Sequence, residues 1–121
     1  EKTEYISIVK DGSGVGKTML CPKNSSVIGT SDMLFPKEKI DIRFLLNILN
    51  NIKFSKYKVG SSIPHIYFKE YSKEKLKIPK YDEQKKIGSF LGNLDLSISA
   101  LLKKIEKTKE FKKGLLQQMF V

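Results

Sequence analysis

The stretch from Asp82 to Phe120 limits most strongly what this chain can fold into. No proline interrupts it, and from Ile87 apolar residues return at spacings of four and three as Leu91, Leu94, Ile98, Leu101, Ile105, Leu115 and Met119, with only Thr108 and Lys112 out of pattern. That period is a heptad seam, narrower than the apolar stripe of an ordinary globular helix. The pattern predicts one helix with Asp82 as its N-cap and Glu83 in the first turn, and with Lys109, Lys112 and Lys113 towards the end that favours cations. At 1.5 Å per residue such a helix is about 57 Å long. A domain of some 80 residues has a radius of gyration of only about 12 Å, so the helix overhangs it and much of the seam must seek another chain. Each Leu or Ile it buries contributes roughly 1.5–3 kcal/mol. From periodicity alone, the expectation is a coiled-coil stalk that pairs two copies as a homodimer.

The residues ahead of the helix suffice for one small domain. Tyr5 to Val9 reads as a strand, the glycine-rich loop Asp11 to Gly16 as a turn, and Lys17 to Cys21 as a second strand ended by Pro22, which together make a hairpin. Residues 27–34 supply one or two more short strands, closed by Pro36. Asp41 then caps a helix from Ile42 to Leu49 with an apolar face of Phe44, Leu45, Ile48 and Leu49, stopped by Asn50 and Asn51. The turn at Gly60, an apolar run from Ile63 to Phe68 and a short strand Lys75 to Ile78 complete it, and Pro79 separates it from the long helix. The expected fold class is α+β. Residues 1–80 form a small mixed domain of short strands and one core helix, and residues 81–121 form one long coiled-coil helix.

Charge narrows the partner. The chain carries 23 Lys and Arg against 13 Asp and Glu, a net charge of +10. Residues 53–80 hold eight Lys and two Glu, interleaved with Phe54, Tyr57, Tyr67, Phe68 and Tyr71. Such a concentration is the electrostatic footprint of a phosphate-backbone partner, with Lys56, Lys58 and Lys69 as candidate contacts and Lys10 and Lys17 beside them. The alternative is a lysine-rich solvated surface with no partner. Cys21 is the only cysteine and His65 the only histidine, so neither an internal disulfide nor a Cys/His metal cluster is expected. No apolar run approaches a membrane span and the N-terminus lacks the apolar core of a leader, so a soluble cytoplasmic protein without membrane contact is expected. The chain begins without Met, as a fragment or processed product does.

Three stretches imitate chemistry. Gly12-Ser13-Gly14-Val15-Gly16-Lys17-Thr18 ends like a nucleotide-binding loop, but Asp11 stands where the first glycine belongs, and Pro22 leaves no room for the helix that would hold phosphates. A hairpin turn is expected there, whose backbone amides and Lys17 remain free to approach a DNA phosphate. Glu83-Gln84-Lys85 is half of a nuclease motif with no upstream acid, and reads as a helix start. His65 has no identifiable partner acid or nucleophile, and reads as a packed or phosphate-contacting residue. No catalytic residue and no bound cofactor or metal is expected. Any base reading falls to loop side chains at Ser13, Ser61, Ser62 and His65.

Gly60-Ser-Ser-Ile-Pro-His-Ile-Tyr-Phe68, then Leu76-Lys-Ile-Pro79, Glu83-Gln84-Lys-Lys-Ile87 and Lys112-Lys-Gly-Leu-Leu116, resemble the specificity subunit of type I restriction–modification enzymes over nearly the whole chain. The resemblance implies the rear part of one target recognition domain followed by the family's long helix, which pairs antiparallel with another such helix. It implies a non-catalytic subunit that binds DNA and holds methyltransferase subunits and, with them, a motor-nuclease subunit. S-adenosylmethionine, ATP and magnesium then belong to those partners. A generic coiled-coil assembly module is the second reading and a nucleotide-binding enzyme a remote third.

Overall fold

A computed structural model describes residues 1–120. Three strands, β1 (Tyr5–Val9), β2 (Thr18–Cys21) and β3 (Ser31–Leu34), form an antiparallel sheet in the order β2-β1-β3. Helix α1 (Ile42–Asn51), a 3-10 turn (Phe54–Tyr57), the single-turn helix α2 (Phe68–Tyr71) and the long helix α3 (Tyr81–Met119) follow. The architecture is the expected α+β one.

β1 is the central strand because it is apolar on almost every position. Tyr5, Ile6 and Ile8 are fully buried, and the register sets Ile6 opposite both Leu20 and Leu34. Ile6 and Ile8 join Val15, Leu49, Phe54, Ile66 and Tyr71 in one core, with Leu45 and Leu46 of α1 packed against it. α1 starts where its cap predicts: an Asp41 carboxylate oxygen accepts from the Phe44 N–H at 2.9 Å, an interaction worth about 1 kcal/mol. It runs through Asn50 and Asn51, the expected stop, to a cap at Ile52.

Residues 27–34 supply one strand, Ser31–Leu34, within the expected one or two; a turn closed by Ser31 N–H to Ile28 C=O precedes it. Other expectations need correction. Lys75 to Ile78 is not a strand. Its alternation matches a half-buried strand, yet neither sheet edge pairs with it. Asp82 does not cap α3. The helix begins at Tyr81, the Lys80 carbonyl accepts from the Glu83 and Gln84 amides, and Asp82 lies inside the first turn, paired with Lys85 at 3.0 Å. Lys109, Lys112 and Lys113 stand more than a turn short of Met119, too far in for a strong dipole interaction.

The chain divides into two compact units, Glu1–Ser89 and Phe90–Val121. The first therefore takes in the opening turns of α3 beyond the start of the helix at residue 81. Two residues explain this. Gln84, 2% exposed, accepts from the Asp41 N–H through Oε1 and donates through Nε2 to the carbonyls of Lys39 and Pro79, at 2.9–3.1 Å. One turn on, a Cβ on Gly88 would lie 2.8 Å from Asp41 Oδ1 and 2.9 Å from the Phe44 nitrogen, so only glycine lets α3 meet the start of α1 this closely. Ile87 is half-buried beside them.

In the second unit the seam is uncovered. Leu91 is half-buried, whereas Leu94, Ile98, Leu101, Ile105, Leu115 and Met119 are 41–70% exposed. Leu102 and Leu116 flank them one position beyond Leu101 and Leu115 and are equally exposed, and Phe90 and Phe111 lie on the other flank. The seam is thus wider than a strict two-position heptad. No helix among the described residues is long and apolar enough to cross a membrane.

Candidate nucleic-acid interface

The hairpin tip and the loop after the 3-10 turn are far apart in sequence and are joined in the fold. The Gly12 N–H donates to the Pro64 carbonyl and the Ile66 N–H to the Lys10 carbonyl, both at 2.9 Å. Val59 and His65 exchange both of their backbone hydrogen bonds, and a bridge also links Asp11 with His65. The side chains repeat the link, with Asp11 Oδ1 2.5 Å from His65 Nδ1. Two loops are thus joined at Lys10–Gly12 and Pro64–Ile66: residues 10–17, which carry Lys10, Ser13 and Lys17, and residues 58–66, which carry Lys58, Ser61, Ser62 and His65.

The glycine-rich loop is a packed turn. Val15 enters the core at 6% exposure, and Gly16, at φ +89°, lies so close to Phe54 that an added Cβ would stand 2.6 Å from the Phe54 Cβ. The amides of Gly12, Val15, Gly16 and Lys17 already donate to the carbonyls of Pro64, Gly12, Val9 and Gly14. These four are not free to cradle a phosphate, whereas the Ser13 and Gly14 amides have no hydrogen-bond partner among the described residues. What the tip presents outward is the exposed side chains of Ser13 and Lys17.

The basic candidates fall into two groups. Lys10 pairs with Asp32 at 2.8 Å, and that hydrogen bond, followed by the Coulomb attraction, holds its pKa above the ordinary lysine value. Lys56 pairs with Glu74 at 2.8 Å and lies 5.0 Å from the centre of the Tyr57 ring. The Tyr57 hydroxyl bonds to the same Glu74, which the hydrogen bonds from Lys56 and then Tyr57 hold below its ordinary carboxylate value. Lys73 pairs with Glu70. Both acidic groups of residues 53–80 are thereby engaged. Among the described residues Lys53, Lys58, Lys69, Lys75, Lys77 and Lys80 have no carboxylate partner, and neither has Lys17. Lys58 and Lys17 belong to the loop surface; Lys69 stands exposed on α2, next to the exposed rings of Tyr67 and Phe68. Ser61 and Ser62 are exposed as well.

Sequence reasoning missed Asp11 and Tyr67. His65 does have an acidic partner, 54 residues away, and its other neighbour is Tyr67, whose ring stacks on it at 6.4 Å between centroids and 21° between planes. The one available signal was that Asp11 breaks the glycine pattern of the loop. It marked the residue as unfit for phosphate without showing what it faces. No group of three or more metal-ligating side chains gathers among the described residues.

A family model described as the type I restriction modification DNA specificity domain matches residues 2–110 of this chain. The type I restriction enzyme MjaVIII specificity subunit of Methanocaldococcus jannaschii is 30% identical over 118 residues, covering 95% of this chain and 28% of that relative. The chain thus spans under a third of the length of the curated relative it matches. No solved structure gives a significant match.

Proposed function

Because the chain belongs to the type I restriction–modification DNA specificity family, we propose that it is a non-catalytic DNA-recognition and assembly module. The loop surface of residues 10–17 and 58–66, extended by Lys69, meets duplex DNA. The helix beyond Ser89 meets protein. The observation that carries this reading is that one chain presents partnerless lysines on a rigidly joined loop surface and a partnerless apolar seam on α3.

Each surface has a definite physical task. Lys17, Lys58 and Lys69 neutralise phosphates and fix the domain on the duplex, which gives affinity without sequence choice. Ser13, Ser61, Ser62 and His65 carry the short polar side chains able to reach base edges from between those contacts. Leu91, Leu94, Ile98, Leu101, Ile105, Leu115 and Met119 pair α3 with a second copy of this helix, and Ile87, half-buried in the first unit, begins the seam. The flanking Leu102, Leu116, Phe90 and Phe111 make the apolar band broad enough for further helices, in keeping with methyltransferase subunits and, through them, a motor-nuclease subunit. S-adenosylmethionine, ATP and magnesium serve in those partners, and the assembly works in the cytoplasm.

Titration of the full chain with labelled duplex DNA at several salt concentrations tests the first task. The logarithm of affinity should fall with the logarithm of salt at a slope of about 0.9 per phosphate neutralised, and the triple change of Lys17, Lys58 and Lys69 to Glu should lower both affinity and slope. Unchanged binding and slope would move the DNA surface elsewhere. Reconstitution with the host methyltransferase subunits, followed by mapping of methylated sites, tests the second: Leu101→Asp should lower methylation at all sites, whereas Ser62→Ala should shift the choice among them.

A further inference from the structure

Asp11 is an anion in the middle of a surface that is otherwise cationic or neutral, and Coulomb repulsion of phosphates would argue against its being there at all. Its geometry gives it another task. Asp11 Oδ1 stands 2.5 Å from His65 Nδ1, on the two segments whose backbones are joined by the Gly12–Pro64 and Ile66–Lys10 hydrogen bonds. An ionised carboxylate has only acceptors to offer, so the hydrogen bond requires the proton on Nδ1. In the neutral ring Nε2 is then the unprotonated nitrogen, an acceptor. Among the described residues Nε2 has no hydrogen-bond partner, and it is not buried, in a side chain 39% exposed that lies near-parallel to the Tyr67 ring.

We propose that Asp11 is a positioning residue: by accepting from Nδ1 it fixes the tautomer and direction of His65, so that Nε2 is presented to DNA as a hydrogen-bond acceptor. The group this acceptor recognises is an N–H donor on a base edge in the major groove, the exocyclic amine of adenine or cytosine. Phosphate, which has no donor, does not satisfy it. The inference rests on the DNA-binding reading of the loop surface, and it assigns to one atom of that surface the chemical class of its contact.

The full chain allows a clean test, because its single histidine makes the imidazole nitrogen signals unambiguous. Nitrogen-15 spectra at a pH where the ring is neutral should show the proton on Nδ1 in the wild type, and Asp11→Ala should release it to a mixture of tautomers. A wild-type ring protonated on Nε2 overturns the proposal. Binding to a mixed-sequence duplex supplies the second arm, in which two effects have opposite signs. If Asp11 merely repels phosphate, Asp11→Ala tightens binding; if it positions His65, Asp11→Ala weakens binding by about tenfold, the worth of one lost directed hydrogen bond. In the His65→Ala background the same change should be neutral or tightening, since Asp11 then has nothing to position. Asp11→Asn, which keeps an oxygen acceptor without the charge, should retain the tautomer and bind at least as tightly as the wild type. Tighter binding by Asp11→Ala in the wild-type background, or an Asn variant as weak as the Ala one, overturns the proposal. A wild type that holds the Nδ1 tautomer but binds no duplex overturns the DNA reading and leaves Asp11's hold on His65 standing.

Discussion

The opening turns of α3 and the turns that follow invert the usual relation between hydrophobicity and burial. Gln84 and Gly88, one polar and one without a side chain, are buried, while Leu94, Leu101 and Ile105 lie at least 46% exposed on the same helix. The first pair is a finished joint, since every Gln84 hydrogen-bonding group used has a named backbone partner and Gly88 admits a close crossing. The second set is left uncovered among the described residues. Burying a polar amide is tolerable only when its partners are supplied, and exposing a row of large apolar side chains is tolerable only when something will cover them. A helix that does both carries a completed contact in its opening turns and, under the proposed function, an association surface along the rest.

The comparison breaks most readily at the seam. Ile98→Asp or Leu101→Asp should reduce self-association measured by sedimentation more than a hundredfold, because each forfeits about 1.5–3 kcal/mol of burial and then desolvates a charge. The thermal unfolding of the Glu1–Ser89 unit should not move. A dimer that survives either change would mean that the seam is not the contact. Next comes the joint. Gln84→Ala leaves the part-buried Asp41 amide and two carbonyls without their side-chain partner and should destabilise the first unit by about 2–4 kcal/mol in denaturant titration. Gln84→Glu keeps the shape and the oxygen acceptor for Asp41, but when ionised it cannot donate to Lys39 and Pro79 and sets an unpaired charge against their carbonyls, so it should cost at least as much as Gln84→Ala.

Gly88→Ala sharpens the comparison by opposing two effects. On an exposed helix face the change would stabilise by about 1 kcal/mol through helix propensity. Here the added Cβ meets Asp41 Oδ1 and the Phe44 nitrogen at under 3.0 Å, so a net loss of about 1–2 kcal/mol is expected. The control is Gly114→Ala in the second unit, where an added Cβ meets nothing within 4 Å and the change should stabilise the helix. If both substitutions stabilise, α3 does not approach α1 closely. The smallest effect concerns acid. Glu74 is held below its ordinary carboxylate value by Lys56, so the pair's contribution is present above the unfolded-state value and fades as pH falls through the lower folded-state one. Lys56→Met should weaken that dependence slightly at acidic pH and leave neutral stability almost unchanged, since the pair is exposed.

The sequence alone carried whatever is encoded within a few turns of chain. The absence of proline and the four-three recurrence from Ile87 onward specify α3, Asp41 ahead of an apolar face specifies α1, and the strand–glycine–strand pattern specifies the β1–β2 hairpin, because each depends on neighbours along the backbone. The excess of lysine in residues 53–80 was legible in the same way. Which lysines keep their charge unpaired was not: Lys10 and Lys56 look no different from Lys17 and Lys58 until Asp32 and Glu74 are brought beside them.

The tertiary structure decided the rest. Gly16 brings the glycine-rich loop against Phe54, Gln84 finds the backbone of residues 39–41, and Asp11 meets His65, across separations of up to 54 residues. Local pattern gives no information about such pairs, since their free energy arises only when the sheet and α1 have closed the chain and removed competing water. For the same reason Asp11 read in sequence as a defect in a phosphate loop, and the fold turned it into the partner of the only histidine.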